Sequence, residues 1–195
     1  MTRYSSAALL IALLLAGCAG AQRETTAPSP RKQERLAAVK ADPAEAARIL
    51  NAYRAGKGLG PVRLDSTLTA MAQRQSDAMA ASDDLSHSAA GSFNSRVSAA
   101  GLDTVRAAEN LGAGYYSTQE AFDGWKKSSG HEANLSMPQA TRIGIALAKN
   151  PQTRYGAWWT LVLAGEPEKR REMSAGPLVP VRGGGTTTFR WGPPL

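Results

Sequence analysis

The sequence predicts an α/β fold, a three-layer α-β-α sandwich, and three features of the chain carry that expectation. Apolar residues recur at helical spacing from Ala46 to Met79. Short glycine-bounded or β-branched runs dominate from Ala107 to Ala164, and a further helical run around Trp125 separates them. At 195 residues and 43% apolar composition, the chain has room for one ordinary core with flanking segments.

In chain order, residues 1–17 are expected to be a signal peptide. Arg3 precedes an apolar run, Ala7 to Leu15, that is too short to span a bilayer. Leu15-Ala16-Gly17-Cys18 resembles the bacterial lipobox, which implies cleavage before Cys18 and lipidation of its thiol. Ala19 after the cysteine implies sorting to the outer membrane by the same resemblance, with the acyl chains as a membrane anchor. Cys18 is the only cysteine, so the sequence offers no disulfide framework and no thiolate metal site. Residues 18–41 read as a lipid-anchored tether. Small, polar and proline-bearing residues fill it up to about 33, and a helical turn or two is expected from Glu34 to Lys40.

The domain is expected over residues 42–164. Asp42 offers an N-cap with Pro43 at the first helical position, and Ala46, Ile49, Leu50 and Tyr53 lie on one face until Gly56 and Gly58. Asp65 or Ser66 caps a second helix carrying Leu68, Met71, Ala72, Gln75, Ala78 and Met79, which ends near Ser82. The polar stretch from Asp83 to Gly91 is irregular and holds His87. A short helix comes next from Asn94 to Ala100, stopped by Gly101. Ala107 to Gly114 suits a buried strand. Gln119 to Ser128 suits a helix, with Ala121, Phe122 and Trp125 on one face, followed by a loop at Gly130-His131. Ile143 to Ala148 and Tyr155 to Ala164 read as strands joined by a turn at Asn150-Pro151. Residues 165–195 lose apolar periodicity and read as a basic Gly/Pro-rich tail, including Gly183-Gly184-Gly185 and Trp191.

The formal charge of +7 is concentrated in the flanks, at Arg31, Lys32 and Arg35 before the domain and at Lys169, Arg170, Arg171, Arg182 and Arg190 after it. No aromatic interleaving or nucleic-acid motif accompanies it, so nucleic acid is not an expected partner, and solvated linkers account for the charge better than an anionic partner does.

Several short words occur in a set order: Asn51-Ala52-Tyr53-Arg54, Pro61 to Asp65, Ser86-His87, Arg96, Gly101, Glu109-Asn110-Leu111, Gly124-Trp125, Ser129-Gly130-His131, Asn134-Leu135, Ile143-Gly144 and Trp158-Trp159-Thr160. Together they resemble the CAP superfamily of cysteine-rich secretory proteins, antigen 5 and pathogenesis-related proteins, also called the SCP domain, in its cysteine-free bacterial form. The resemblance covers about residues 46 to 164. It implies the α-β-α sandwich and a central cleft with two histidines and two acids, able in some members to bind zinc or another divalent ion. Position by position, the histidines are His87 and His131 and the first acid is Glu109. The second acid's place, three residues after Trp125, is Ser128. Leu161 follows Thr160, where the family's last-strand motif commonly has a glutamine.

Two neutral imidazoles and a carboxylate suit a three-ligand zinc site with an open water position. They equally suit acid-base chemistry on Ser128 or a water, or a structural role in which the histidines bond loop backbone and Glu109 caps a turn. Asn110, Ser128 and Asn134 are expected to support the cleft, Tyr115 and Tyr116 to line its rim, and Glu132 to be an exposed charge. Three functions stay open: a monomeric surface-anchored module binding an envelope lipid, glycan or protein; a metal-assisted, peptidase-like hydrolase using His87, Glu109 and His131; and a structural lipoprotein with a relic cleft.

Overall fold

The computed structural model describes residues 27–102 and 106–166. The signal peptide, Cys18, Gly183-Gly184-Gly185, Trp191 and all of the tail after Glu166 lie outside these residues. Among the described residues, no helix is long and apolar enough to cross a membrane.

The order is α1 (Pro30–Ala38), α2 (Pro43–Ala55), β1 (Arg63–Leu64), α3 (Ser66–Ser82), α4 (Phe93–Ala99), β2 (Ala107–Ala113), α5 (Thr118–Lys126), α6 (Ser129–Leu135), β3 (Arg142–Lys149) and β4 (Ala157–Ala164). The predicted caps hold. Asp42 accepts from the Glu45 amide with Pro43 opening α2, and Asp65 accepts from the Leu68 amide at the head of α3.

The four strands lie in the order β1-β3-β4-β2. β1 runs parallel to β3, while β4 is antiparallel to both of its neighbours. Every residue of β4 is buried, because it has a strand on each side and helices on each face. Alternation along the strands then separates two cores. Ile143, Ile145, Trp159, Leu161 and Leu163 pack with α2, α5 and α6. Ala146, Val162 and Ala164 pack with Leu68, Met71 and Ala72 of α3. The three-layer sandwich expected from the sequence is the architecture found.

β1, two residues long, pairs with β3 where the chain runs extended after Pro61. Three elements differ from the sequence reading. α1 starts at Pro30, inside the stretch read as unstructured, where Ser29 caps it; it packs on the domain through Leu36, 3% exposed. α5 stops at Lys126 rather than Ser128. Gly130 and His131 lie inside α6 rather than in a loop. That helix is held at its end by Arg54, fully buried, which donates to the carbonyl of its last residue, Leu135, to those of Met137 and Ala140 in the segment that follows, and to Gly60.

α3 lies on the sheet at backbone contact over Gly144. A β-carbon there would collide with the Leu68 carbonyl carbon and the Thr69 amide nitrogen. Backbone atoms cannot rotate aside, so Gly144→Ala should destabilise the domain by roughly 3 kcal/mol through forced displacement of α3. Urea unfolding checks this: the midpoint should fall, and a midpoint unchanged from the parent would contradict so close an approach.

Candidate functional site

The site forms around β2, which is an edge strand. Successive side chains on a strand face opposite ways, so Glu109 and Asn110 serve different faces of the sheet. Glu109 turns toward α4 and the loop carrying His87. Its carboxylate, with the side chain 2% exposed, takes both hands of the Arg96 guanidinium: Nη1 to Oε2 at 2.7 Å and Nη2 to Oε1 at 2.9 Å. Oε1 also meets His87 Nδ1 at 2.9 Å. A carboxylate can only accept here, so Nδ1 carries a proton, and in the neutral tautomer the lone pair lies on Nε2. The imidazole itself is well exposed, its side chain 61% accessible.

The loop that carries His87 is held from two helices. Arg96 donates to the His87 and Gly91 carbonyls. Gln75, fully buried on α3, donates to the Ser86 carbonyl at 2.7 Å and accepts from the Ala90 amide at 3.3 Å. The sequence reading included Arg96 only among the family words and Gln75 only as part of a helical stripe. A buried polar side chain on an otherwise apolar face is the signal that would have found Gln75.

Asn110 faces α6. It donates to the His131 carbonyl at 3.1 Å and accepts from Asn134, which also reaches the Glu109 carbonyl at 3.3 Å. These two amides therefore fix α6 against the edge of β2. Ser128 is the N-cap residue of α6, but its side chain makes no capping bond. The His131 ring is half-buried and makes no side-chain hydrogen bond among the described residues. Burial first, and then electrostatic interaction with His87, lower its pKa below the usual 6.5, so it is neutral at pH 7.

The structure thus brings His87 and Glu109 into direct contact and sets His131 on α6, whose backbone is tied to β2 through Asn110 and whose ring is close enough to His87 to feel it electrostatically. Zinc does not fit this set as arranged. Both Glu109 oxygens are occupied by Arg96, leaving two imidazoles where a catalytic zinc takes three protein ligands. Among the described residues, no group of three His, Cys, Asp or Glu is placed to hold a metal ion.

Two neighbouring expectations need correction. Glu132 is no free surface charge: Lys57 Nζ lies 2.6 Å away, and Tyr53 and Ser136 donate their hydroxyls to it. The Lys57 bond foremost, with Tyr53 and Ser136 behind it, lowers the Glu132 pKa from 4.5 to about 2. Tyr115 and Tyr116 are engaged by their own chain rather than offered at a rim. The Tyr115 ring covers Gly112 and Gly124, and the Arg35 guanidinium lies 3.8 Å from the centre of the Tyr116 ring.

A strand edge flanked by two histidines, inside an α-β-α sandwich, defines the class of SCP-type domains. The family model described as the cysteine-rich secretory protein family, CAP, matches residues 47–163, and the chain belongs to that family. It is 26% identical over 157 residues to the uncharacterised Bacillus subtilis protein YkwD, a match that takes in 76% of this chain and 59% of that relative's length. Among solved structures, an extracellular protein containing a SCP domain from Bacillus anthracis superposes with a TM-score of 0.55 at 22% identity. That likeness covers 63% of this chain and 40% of the other. An outer surface protein from Borrelia burgdorferi gives 0.56 at 18% identity, over 65% of this chain and 97% of the other.

Gln75→Leu keeps the volume but removes both ties to the His87 loop. Amide exchange across residues 86–91 should quicken while α3 keeps its protection, as hydrogen-exchange mass spectrometry will show; equal protection in the two proteins would mean that Gln75 does not hold the loop. For Glu132 the folded pKa lies below the unfolded one. The unfolded chain therefore takes up the proton first as pH falls, and the stability from this carboxylate is whole above pH 4.5 and lost toward pH 2. Urea titrations from pH 6 to 2.5 should show up to about one proton less uptake on unfolding for Glu132→Gln than for the parent.

Proposed function

We propose that the chain is a surface-anchored CAP module that binds an envelope ligand at the His87–His131 cleft. One observation carries the reading: the acid of the set is spent on Arg96, while His87 Nε2 and the ring of His131 make no hydrogen bond among the described residues. Two imidazoles on a firmly held edge present hydrogen-bonding groups, a surface suited to the hydroxyls and amides of an envelope glycan. Lipidation at Cys18 would keep a monomeric domain at the membrane, in the outer membrane by the sorting residue Ala19. The exported address agrees with two structural relatives, one described as extracellular and one as an outer surface protein.

A second reading rests on the 2.9 Å contact of Glu109 with His87 Nδ1. An imidazole so oriented is a competent general base through Nε2, which would make the site a metal-free hydrolase.

One experiment separates the two. Purified cell-wall glycan, and vesicles of outer-membrane lipid, are titrated with the protein and with His87→Ala and His131→Ala, and the same glycan is analysed for released fragments. Glycan binding weakened about tenfold by each substitution, with no fragments released, is expected for two hydrogen-bonding anchors. Fragments that vanish with His87→Ala would replace the binding reading with the hydrolytic one, and binding indifferent to both histidines would remove the cleft from the function.

A further inference from the structure

Arg96 stands where the family's chemistry would lead one to expect a cation. Its side chain is 6% exposed, and it sits against a carboxylate that is 2% exposed. Its guanidinium makes two hydrogen bonds to the oxygens of Glu109, one to the Gly91 carbonyl and one to the His87 carbonyl. These partners come from β2 and from two points of the His87 loop, which nothing in local sequence would bring together.

A divalent ion at Glu109 would have two tasks here. It would neutralise a buried carboxylate, and it would tie the His87 loop to the sheet. The guanidinium already does both. Its positive charge is part of the chain and depends on no metal supply. Coordinating Glu109 to a metal would require breaking two charge-assisted hydrogen bonds and then holding a second cation beside the first. We propose that Arg96 is a built-in cation: it fills the coordination that Glu109 would offer a divalent ion, fastens the His87 loop to β2, and so makes the cleft independent of metal.

The consequence is a specificity determinant at position 96. Its removal would free both Glu109 oxygens beside an imidazole already in contact with one of them, leaving Glu109 and His87 as two adjoining donors for a divalent ion whose shell water would complete. None of this depends on what the cleft binds, so the ligand experiment and this one can fail separately.

The test uses the full chain in chelator-stripped buffer, with zinc titrations by calorimetry and thermal unfolding with and without chelator. In the parent protein, chelator should leave the unfolding temperature unchanged, and zinc affinity should be no higher than in Glu109→Gln. Arg96→Met should bind zinc about tenfold or more tightly than the parent, with zinc raising its unfolding temperature, and adding Glu109→Gln should abolish that gain. Should Arg96→Met fail to fold, Arg96→Lys serves in its place: its single ammonium cannot hold both oxygens and both loop carbonyls, and Glu109-dependent zinc affinity should again exceed the parent's. Parent protein that binds zinc through Glu109, or position-96 variants that bind it no better than the parent, would overturn the proposal.

Discussion

A carboxylate withdrawn from water must find its charge partner within the protein, and Glu109 imposes that requirement on one whole side of the molecule. Meeting it takes Arg96, which fixes the rotation of α4. Arg96 in turn grips the loop from His87 to Gly91, and Gln75 closes the same loop from α3. The position of His87 is therefore set by a buried ion pair and a buried amide rather than by its own exposed ring. Removing either partner alone would leave the other charge stranded, at a typical cost of about 3–5 kcal/mol, so the pair stands or falls together.

The other side of the site is built differently. α6 is seven residues long, below the length at which a helix sustains itself, and it exists because tertiary contacts hold it in place. Arg54 collects the carbonyls at its carboxyl end, and Asn110 and Asn134 join its middle to β2. His131 is thus carried by a short element that borrows its stability from its neighbours. The two histidines share a strand edge yet reach it through unrelated supports, one built on an ion pair and one on neutral amides.

Much of this was legible from the residues. Aspartates 42 and 65 mark the heads of α2 and α3 because an N-cap is a local device, written within three residues. The long strands β3 and β4 show in their β-branched and aromatic runs. What stayed hidden is what depends on distant partners. Nothing local links Arg96 to Glu109, thirteen positions away, or Gln75 to the loop beyond its helix. Ser128-Ser129-Gly130 has the composition of a loop, and only the buried Arg54 lets the segment from Ser129 to Leu135 close as a helix. Glu132 looked like an exposed charge beside the interesting histidine because its partners, Tyr53 and Lys57, lie more than seventy residues earlier.

The docking of α1 has a mechanical meaning. Lys32 reaches the Thr153 carbonyl and Leu36 fills the space over Gly156, while Lys149 donates to the Ala37 and Val39 carbonyls at the helix's far end. Tension arriving from the amino-terminal side of Pro30 is therefore borne first by α1 and passed into the β3–β4 connection. The load would have to strip that helix from the domain before it pulled on α2, and only then could it disturb the histidines at the edge of β2. A domain tethered by its amino-terminal end would keep its cleft in working order under drag.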